Sequence, residues 1–177
     1  MREWFVSELQ ESLGTSTHDV QMIIDYLASH GDVDTTKVGV LGEGSGGVIA
    51  ILAADADSRI AFVDAINPSG DCPDWLKESG VVPEKERAEY LKPEFLQRVP
   101  MLDLVKYLPH FSSGRIRIEQ VAGEPITPKD VQAKIAASAP SLSLVVQYED
   151  MRTQVQAWTA QEWWLKSNCS LLSLLRV

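Results

Sequence analysis

A strand followed by a glycine-rich turn and a helix is the feature that most constrains this fold. The segment KVGVLGEGSGGVIAILAA, residues 37–54, begins with a short apolar run and ends in an alanine-rich stretch. An almost wholly apolar run predicts a strand buried on both faces, which is typical of a parallel sheet covered by helices. Glycines at such a turn let the backbone bend sharply. Turns of this kind either bind a phosphate through backbone N–H groups or hold a nucleophilic side chain in a strained conformation.

Apolar runs and helical patterns alternate along most of the remaining chain. This alternation predicts an α/β fold with a mostly parallel sheet of about four strands and helices on both faces. The predicted strands cover residues 36–42, 59–67, 115–123 and 142–149, and the predicted helices cover residues 16–31, 45–56, 127–139 and 152–167.

Local signals predict where two of these helices begin and end. Ser16 or Thr17 is suited to cap the first helix, and Gly31 to end it. In the helix after the third strand, Thr127 is the expected cap and Pro128 the expected first residue. Val20, Ile23, Ile24 and Leu27 share a helical spacing and form the expected buried face of the first helix.

Residues 71–112 differ in character from the rest. They are rich in proline and charge and contain only short helical pieces, which indicates a small cap inserted into one domain spanning residues 1–177. The side chains expected to be buried beneath this cap are Trp75, Tyr90, Leu91, Phe95 and Leu96.

Composition excludes several classes of function. A formal net charge of −9 argues against nucleic-acid binding, which needs a basic face. The longest apolar run is far shorter than the roughly 20 residues that span a bilayer, and the residues after Met1 do not form a signal peptide. Cys72 and Cys169 suggest neither a disulfide framework nor a metal site. We therefore expect a soluble cytoplasmic protein without a metal or cofactor.

One interpretation of the turn is dinucleotide binding. Gly42, Gly44 and Gly47 spell G-x-G-x-x-G between a strand and a helix within Gly42-Glu43-Gly44-Ser45-Gly46-Gly47. Asp64 follows about 20 residues later, at the predicted end of the next strand, where an acid would hold a ribose hydroxyl.

The wider pattern favours a second interpretation. The stretch DVDTTKVGVLGEGSGGVIAILAADADSRIAFVDAINPSGD resembles the nucleophile region of the α/β-hydrolase superfamily, in which a strand ends in G-x-S-x-G-G and D-x-R-I starts the next strand. AGEPITPKD looks like the D-P-x-T-P turn that bears the catalytic acid, and the inserted segment lies where these proteins carry a cap. The resemblance covers essentially the whole chain and is strongest to an esterase or peptidase-like branch. It implies a small ester or peptide-like ligand.

The catalytic residues that this resemblance requires are incomplete. Gly44 stands at the nucleophile position, and Ser45 follows it as a candidate for a displaced nucleophile. The family places its histidine after the last strand, where this sequence has none, which leaves His110 as a weak candidate base. Glu124 occupies the acid position, although an acid before a helix also favours the helix dipole. We therefore predict a hydrolase-family protein that lacks hydrolytic activity; the alternative is an active ester hydrolase that uses Ser45.

The resemblance also implies an exposed sheet edge. Members of the superfamily carry several strands ahead of the nucleophile strand, and this sequence starts near the helix that precedes it. Residues 37–42 would then form an unpaired apolar edge, which is a template for association. We expect a homodimer through this edge.

Overall fold

The computed structural model describes residues 2–31, 33–100, 103–111 and 115–159. The strands are β1 (Val38–Glu43), β2 (Ile60–Ile66), β3 (Arg115–Val121) and β4 (Leu144–Tyr148). The helices are α1 (Arg2–His30), α2 (Ser45–Ala56), α3 (Cys72–Glu78), α4 (Glu84–Tyr90), α5 (Pro93–Leu96), α6 (Leu104–Tyr107), α7 (Lys129–Ser138) and α8 (Met151–Thr159). Short 3-10 helices cover Thr35–Lys37 and Leu108–His110.

The strands form one parallel sheet in the order β1-β2-β3-β4. The prediction of a four-stranded parallel sheet is confirmed. β2 and β3 lie in the centre and are almost wholly buried, and their apolar residues are joined there by buried charged side chains. β1 lies at one edge, where its residues alternate between half-buried and exposed.

Helices cover both faces of the sheet. The start of α2 packs against the end of β1, and α7 reaches the same face, where the side chain of Gln120 donates to the Gln132 carbonyl at 2.8 Å. α8 lies on the opposite face, since Gln154 and Trp158 both donate hydrogen bonds to the Glu119 carboxylate. Helices on both faces are therefore confirmed.

The first helix begins earlier than its sequence signals predict. α1 starts at Arg2, and the Thr17 hydroxyl donates to the Leu13 carbonyl inside the helix at 2.7 Å rather than capping its start. The predicted buried face is also partly wrong, because Ile24 is 2% exposed but Ile23 is 58% exposed. Gly31 ends the helix as predicted, with a φ of +72° that a glycine adopts readily.

The start of α7 also differs from the prediction. The helix begins at Lys129, and Pro128 is the residue at its N-cap. Thr127 is buried, and its hydroxyl has no hydrogen-bond partner among the described residues, so it does not cap the helix. Instead, the Gln132 side chain donates to the Thr127 carbonyl at 2.9 Å and fixes the loop from within the helix.

Residues 71–112, between β2 and β3, contain the short helices α3 to α6. They bury a second apolar cluster, which meets the main core at Trp75. Its buried members are Leu76, Val82, Tyr90, Phe95 and Val99, with Cys72, Trp75, Leu91 and Leu96 packed against them. The five side chains expected to be buried in this segment all belong to the cluster.

Part of the last predicted helix and Cys169 lie outside the described residues, as do Trp163 and Trp164. Within the described part of the chain, no helix combines the length and the apolar character that crossing a bilayer requires.

Candidate functional site

A sharp turn of the backbone lies at Gly44, between β1 and α2. Gly44 is the N-cap of α2 and has φ +56° and ψ −119°, a conformation that residues with a side chain rarely adopt. Its N–H donates to the Ile66 carbonyl at 2.8 Å, and its carbonyl accepts from Gly47 at 3.1 Å. The turn is therefore held to the neighbouring strand on one side and to the first turn of the helix on the other.

The space around Gly44 is open, although its backbone conformation would strain any residue that has a side chain. A Cβ built on Gly44 would meet no atom within 4 Å, whereas a Cβ on Gly42 would lie 2.1 Å from the Gly46 carbonyl oxygen. Gly42 is thus required because the helix packs directly on the end of β1. A side chain at Gly44 would project into free space at the carboxyl edge of the sheet, where α/β proteins bind ligands.

Ser45 is the first residue of α2, as predicted, and it is exposed. The N-cap is Gly44, and no side-chain hydrogen bond caps this helix. The Ser45 hydroxyl therefore does not cap the helix, because the serine stands one residue inside it.

Glu124 lies in the loop after β3, and its carboxylate is held by its own loop. Oε1 accepts from the N–H of Ile126 at 2.9 Å, and Oε2 accepts from the N–H of Thr127 at 2.7 Å. Both oxygens thus close the turn that leads into α7. This arrangement orients the loop and needs no histidine partner.

The three histidines lie at separate places on the surface. His18 and His30 belong to α1, and the Nδ1 atom of His30 lies 2.9 Å from the Tyr26 carbonyl oxygen near the end of that helix. His110 is exposed and is the last residue of the short 3-10 helix that precedes β3 in the chain. No hydrogen bond within the described ranges joins Ser45 to His110 or Glu124.

Asp64 does not lie where a ribose could reach it. It is 0% exposed and stands inside β2, two positions before the strand ends at Ile66. The expectation that Asp64 ends its strand is therefore wrong. The strand continues past Asp64, because Ala65 and Ile66 still pair with β1 on one side and β3 on the other.

Asp64 belongs instead to a buried charge cluster on one face of the sheet. Arg117 lies between two carboxylates, with its Nη1 3.9 Å from Asp64 Oδ2 and its Nη2 2.9 Å from Glu119 Oε1. Arg117 Nη2 also donates to the Tyr148 hydroxyl at 2.8 Å. Burial, and then the Glu119 charge, raise the pKa of Asp64 to about 7, although Arg117 acts in the opposite direction. The alternating charges in RIRIEQV were the sequence signal for this cluster.

Two polar residues that the sequence analysis passed over shape the carboxyl edge of the sheet. Asn67 follows β2 with φ +44°; its N–H donates to the Glu119 carbonyl at 2.7 Å, and its Oδ1 accepts from Val121 at 2.9 Å. Asp103 is buried, and its carboxylate accepts from the N–H groups of Asp71 at 2.7 Å and Cys72 at 3.3 Å. An asparagine before a proline at the end of a strand could have signalled the first of these.

Comparison with solved structures decides the fold. A puromycin-hydrolyzing peptidase of Mycobacterium tuberculosis superposes with a TM-score of 0.67 at 13% identity, over 87% of this chain and 25% of that chain. The chain has an abbreviated α/β-hydrolase fold. An acetyl xylan esterase from Paenibacillus sp. R4 shares this fold at a TM-score of 0.62 and 17% identity, over 80% of this chain and 49% of that one.

A third α/β hydrolase agrees with these two. The acylaminoacyl peptidase of Pyrococcus horikoshii gives a TM-score of 0.60 at 13% identity, over 72% of this chain and 22% of that chain. The chain thus spans less than half the length of each of these proteins. The sequence matches no protein-family model and none of the curated proteins.

Proposed function

We propose that this chain carries the nucleophile elbow of an α/β hydrolase with glycine in place of the nucleophile, and that it does not hydrolyse esters or peptides. The observation that carries the proposal is the conformation of Gly44. In α/β hydrolases the nucleophilic serine sits on a sharp, strained turn between a strand and a helix. Gly44 has such a backbone, with φ +56° and open space for a side chain, but it has no side chain to attack with.

The rest of the catalytic apparatus supports the same proposal. A serine hydroxyl needs a neighbouring imidazole to accept its proton. Ser45 stands inside the helix, past the strained position, and His110 lies before β3 rather than after the last strand. Glu124 occupies the acid position but uses both oxygens to close its own turn. A base and its orienting acid are thus not assembled around Ser45.

A ligand of the kind that hydrolases bind remains compatible with this site. Because the carboxyl edge of the sheet is where such folds bind ligands, a small ester or peptide-like molecule is the class that the elbow suggests. The bundle of short helices at residues 71–112 would cover this edge as a cap.

The alternative, dinucleotide binding, is not supported, because its acidic residue belongs to the buried charge cluster. The acid that would hold a ribose, Asp64, is fully buried and lies beside Arg117. Calorimetric titration with a nicotinamide dinucleotide checks this alternative, and we expect no heat of binding at millimolar ligand.

The activity test uses a fluorophosphonate probe together with p-nitrophenyl acetate hydrolysis. We expect neither labelling nor hydrolysis above the background rate of buffer. Ser45→Ala is the matched control, because labelling that disappears in this variant would overturn the proposal in favour of an active serine. Gly44→Ser should also remain inactive, since the elbow would regain its hydroxyl but not a base. Hydrolysis by Gly44→Ser well above background would contradict the proposed lack of a base.

A further inference from the structure

The turn after β3, residues 124–127, receives two hydrogen bonds from the inserted segment that contains α3 to α6. The Gly80 N–H donates to the Pro125 carbonyl at 2.8 Å, and the Ser79 hydroxyl donates to the Ile126 carbonyl at 2.6 Å. Ser79 is 0% exposed, and a Cβ built on Gly80 would lie 3.0 Å from the Pro125 carbonyl oxygen. The segment therefore meets this turn at close range, with little room for a side chain at Gly80.

Glu124 holds the two peptide groups whose carbonyls accept these hydrogen bonds. In a trans peptide the N–H and the C=O point in opposite directions. The peptide before Ile126 directs its N–H to Glu124 Oε1 and its C=O to Gly80. The peptide before Thr127 directs its N–H to Glu124 Oε2 and its C=O to Ser79. One carboxylate thus orients both acceptors, and its charge strengthens the hydrogen bonds that it receives.

The same contact carries the outer helices of the inserted segment. α3 and α6 pack against α7, whereas α4 packs chiefly against α3 and α5. Arg87 of α4 donates from Nη2 to the Ser79 carbonyl at 3.0 Å and from Nε to the Val82 carbonyl at 3.2 Å. α4 is therefore bound to the residue that contacts the turn after β3.

We propose that Glu124 controls the position of the inserted segment, so that α4 and α5 swing open about α3 only when the Glu124 turn releases them. The base of the segment is held separately, because the Asp103 carboxylate accepts from the N–H groups of Asp71 and Cys72. The acid position of the hydrolase resemblance then holds a lid closed instead of orienting a histidine. This role extends the proposed function, in which the same segment covers the elbow, and rests on it in that respect.

Hydrogen exchange measured by NMR on the full 177-residue chain tests this role. In Glu124→Ala, the Gly80 amide should exchange roughly tenfold faster than in the parent chain, while the amides of β2 and β3 keep their rates. Glu124→Gln keeps one acceptor oxygen and should fall between the two. An unchanged Gly80 rate in Glu124→Ala overturns the proposal. An equal acceleration in β2 and β3 also overturns it, because the whole fold would then be destabilised.

Asp130→Ala is the matched control for the charge of Glu124. It removes an acid from the first turn of α7 and leaves the Glu124 carboxylate in place. Exchange of the Gly80 amide should stay at the parent rate in this variant. If Asp130→Ala accelerated it as much as Glu124→Ala does, the effect would belong to the helix dipole and the proposal would fail.

A double-mutant cycle tests whether Glu124 orients the Ile126 carbonyl. Ser79→Ala removes the hydroxyl that donates to this carbonyl, so in urea denaturation it should raise the unfolding equilibrium constant of the parent chain more than that of Glu124→Ala, by a factor of roughly three or more. Combined with Asp130→Ala, its effect should simply multiply. Independent effects of Ser79→Ala and Glu124→Ala would overturn the proposal. Neither measurement depends on hydrolysis, so this role and the proposed lack of activity can fail separately.

Discussion

Arg117 lies beside Asp64 in the interior of the sheet, with 3.9 Å between Nη1 and Oδ2, while its shorter contact of 2.9 Å is to Glu119. One guanidinium thus lies beside two buried carboxylates. Neither oxygen of Asp64 has a hydrogen-bond partner among the described residues. Glu119, in contrast, accepts hydrogen bonds from Gln154 and Trp158 on α8. Asp64 is therefore the less well compensated of the two acids.

This difference predicts that Asp64 makes the stability of the chain depend on pH. Burial raises its pKa to about 7 in the folded chain, whereas an unfolded aspartate ionises near pH 4. Between these values the folded state binds more protons than the unfolded state, so the free energy of unfolding falls as pH rises. Asp64→Asn does not titrate and leaves Arg117 paired with Glu119. The stability of this variant relative to the parent chain should rise by roughly 2–3 kcal/mol between pH 5 and pH 8.

Urea denaturation at a series of pH values measures this difference. Asp57→Asn is the matched control, because the hydrogen bond from Arg59 lowers the pKa of Asp57. Its contribution is present at neutral pH and is lost only as pH falls towards the lowered value, so its effect should be constant between pH 5 and pH 8. A constant difference for Asp64→Asn over this range would contradict the prediction.

The strained turn predicts opposite outcomes for two neighbouring glycines. Gly44→Ala keeps the open space but must adopt φ +56°, which should cost about 1–3 kcal/mol of folding stability. Gly46→Ala has equally open space and lies in the first turn of α2, so it should leave stability unchanged or raise it slightly. Thermal or urea denaturation compares the two. Equal effects would mean that the turn at Gly44 relaxes without strain.

The hydrogen bonds to the Asp103 carboxylate predict that alanine and asparagine at this position lower the stability by different amounts. Oδ1 accepts from Asp71 and Val105, and Oδ2 accepts from Cys72, in a buried site between α3 and α6. Asp103→Ala leaves these backbone donors without that acceptor and should cost about 2–4 kcal/mol in the free energy of unfolding. Asp103→Asn keeps one acceptor oxygen and should fall between the parent chain and the alanine variant. An alanine variant as stable as the parent would show that other groups satisfy these donors.

The Cys72 side chain is partly buried, and its surroundings predict that the thiol reacts slowly in the folded chain. Its burial raises the pKa to about 12, with further contributions from the Asp103 and Asp71 carboxylates. Because the thiolate is the reactive form, alkylation by iodoacetamide at pH 8 should be roughly a thousandfold slower than that of a free thiol. Cys169→Ser leaves Cys72 as the single thiol, and the same variant unfolded in urea is the control. Rapid alkylation of the folded variant would contradict the prediction.

Sequence patterns predicted the architecture well where the periodicity is strong. The apolar runs located all four strands, and the boundaries predicted for α2 agree with the structure. Helix starts were predicted less well. Thr17 and Thr127 both have the side chain of a good cap, but one lies within a longer helix and the other is buried before the helix begins. Capping signals state what a residue can do, and the surrounding packing decides whether it does so.

By itself, the sequence determined a parallel α/β sheet and a glycine turn, beside Ser45, that leads from the first strand into a helix. Local spacing suffices for this, because strand and helix periods and the glycine positions are properties of neighbouring residues. Only the tertiary structure decided that Gly44 rather than Ser45 holds the strained conformation, and that Asp64 is buried beside Arg117. The backbone angle at the turn depends on a helix packed against Gly42, and the burial of Asp64 depends on strands distant in the sequence.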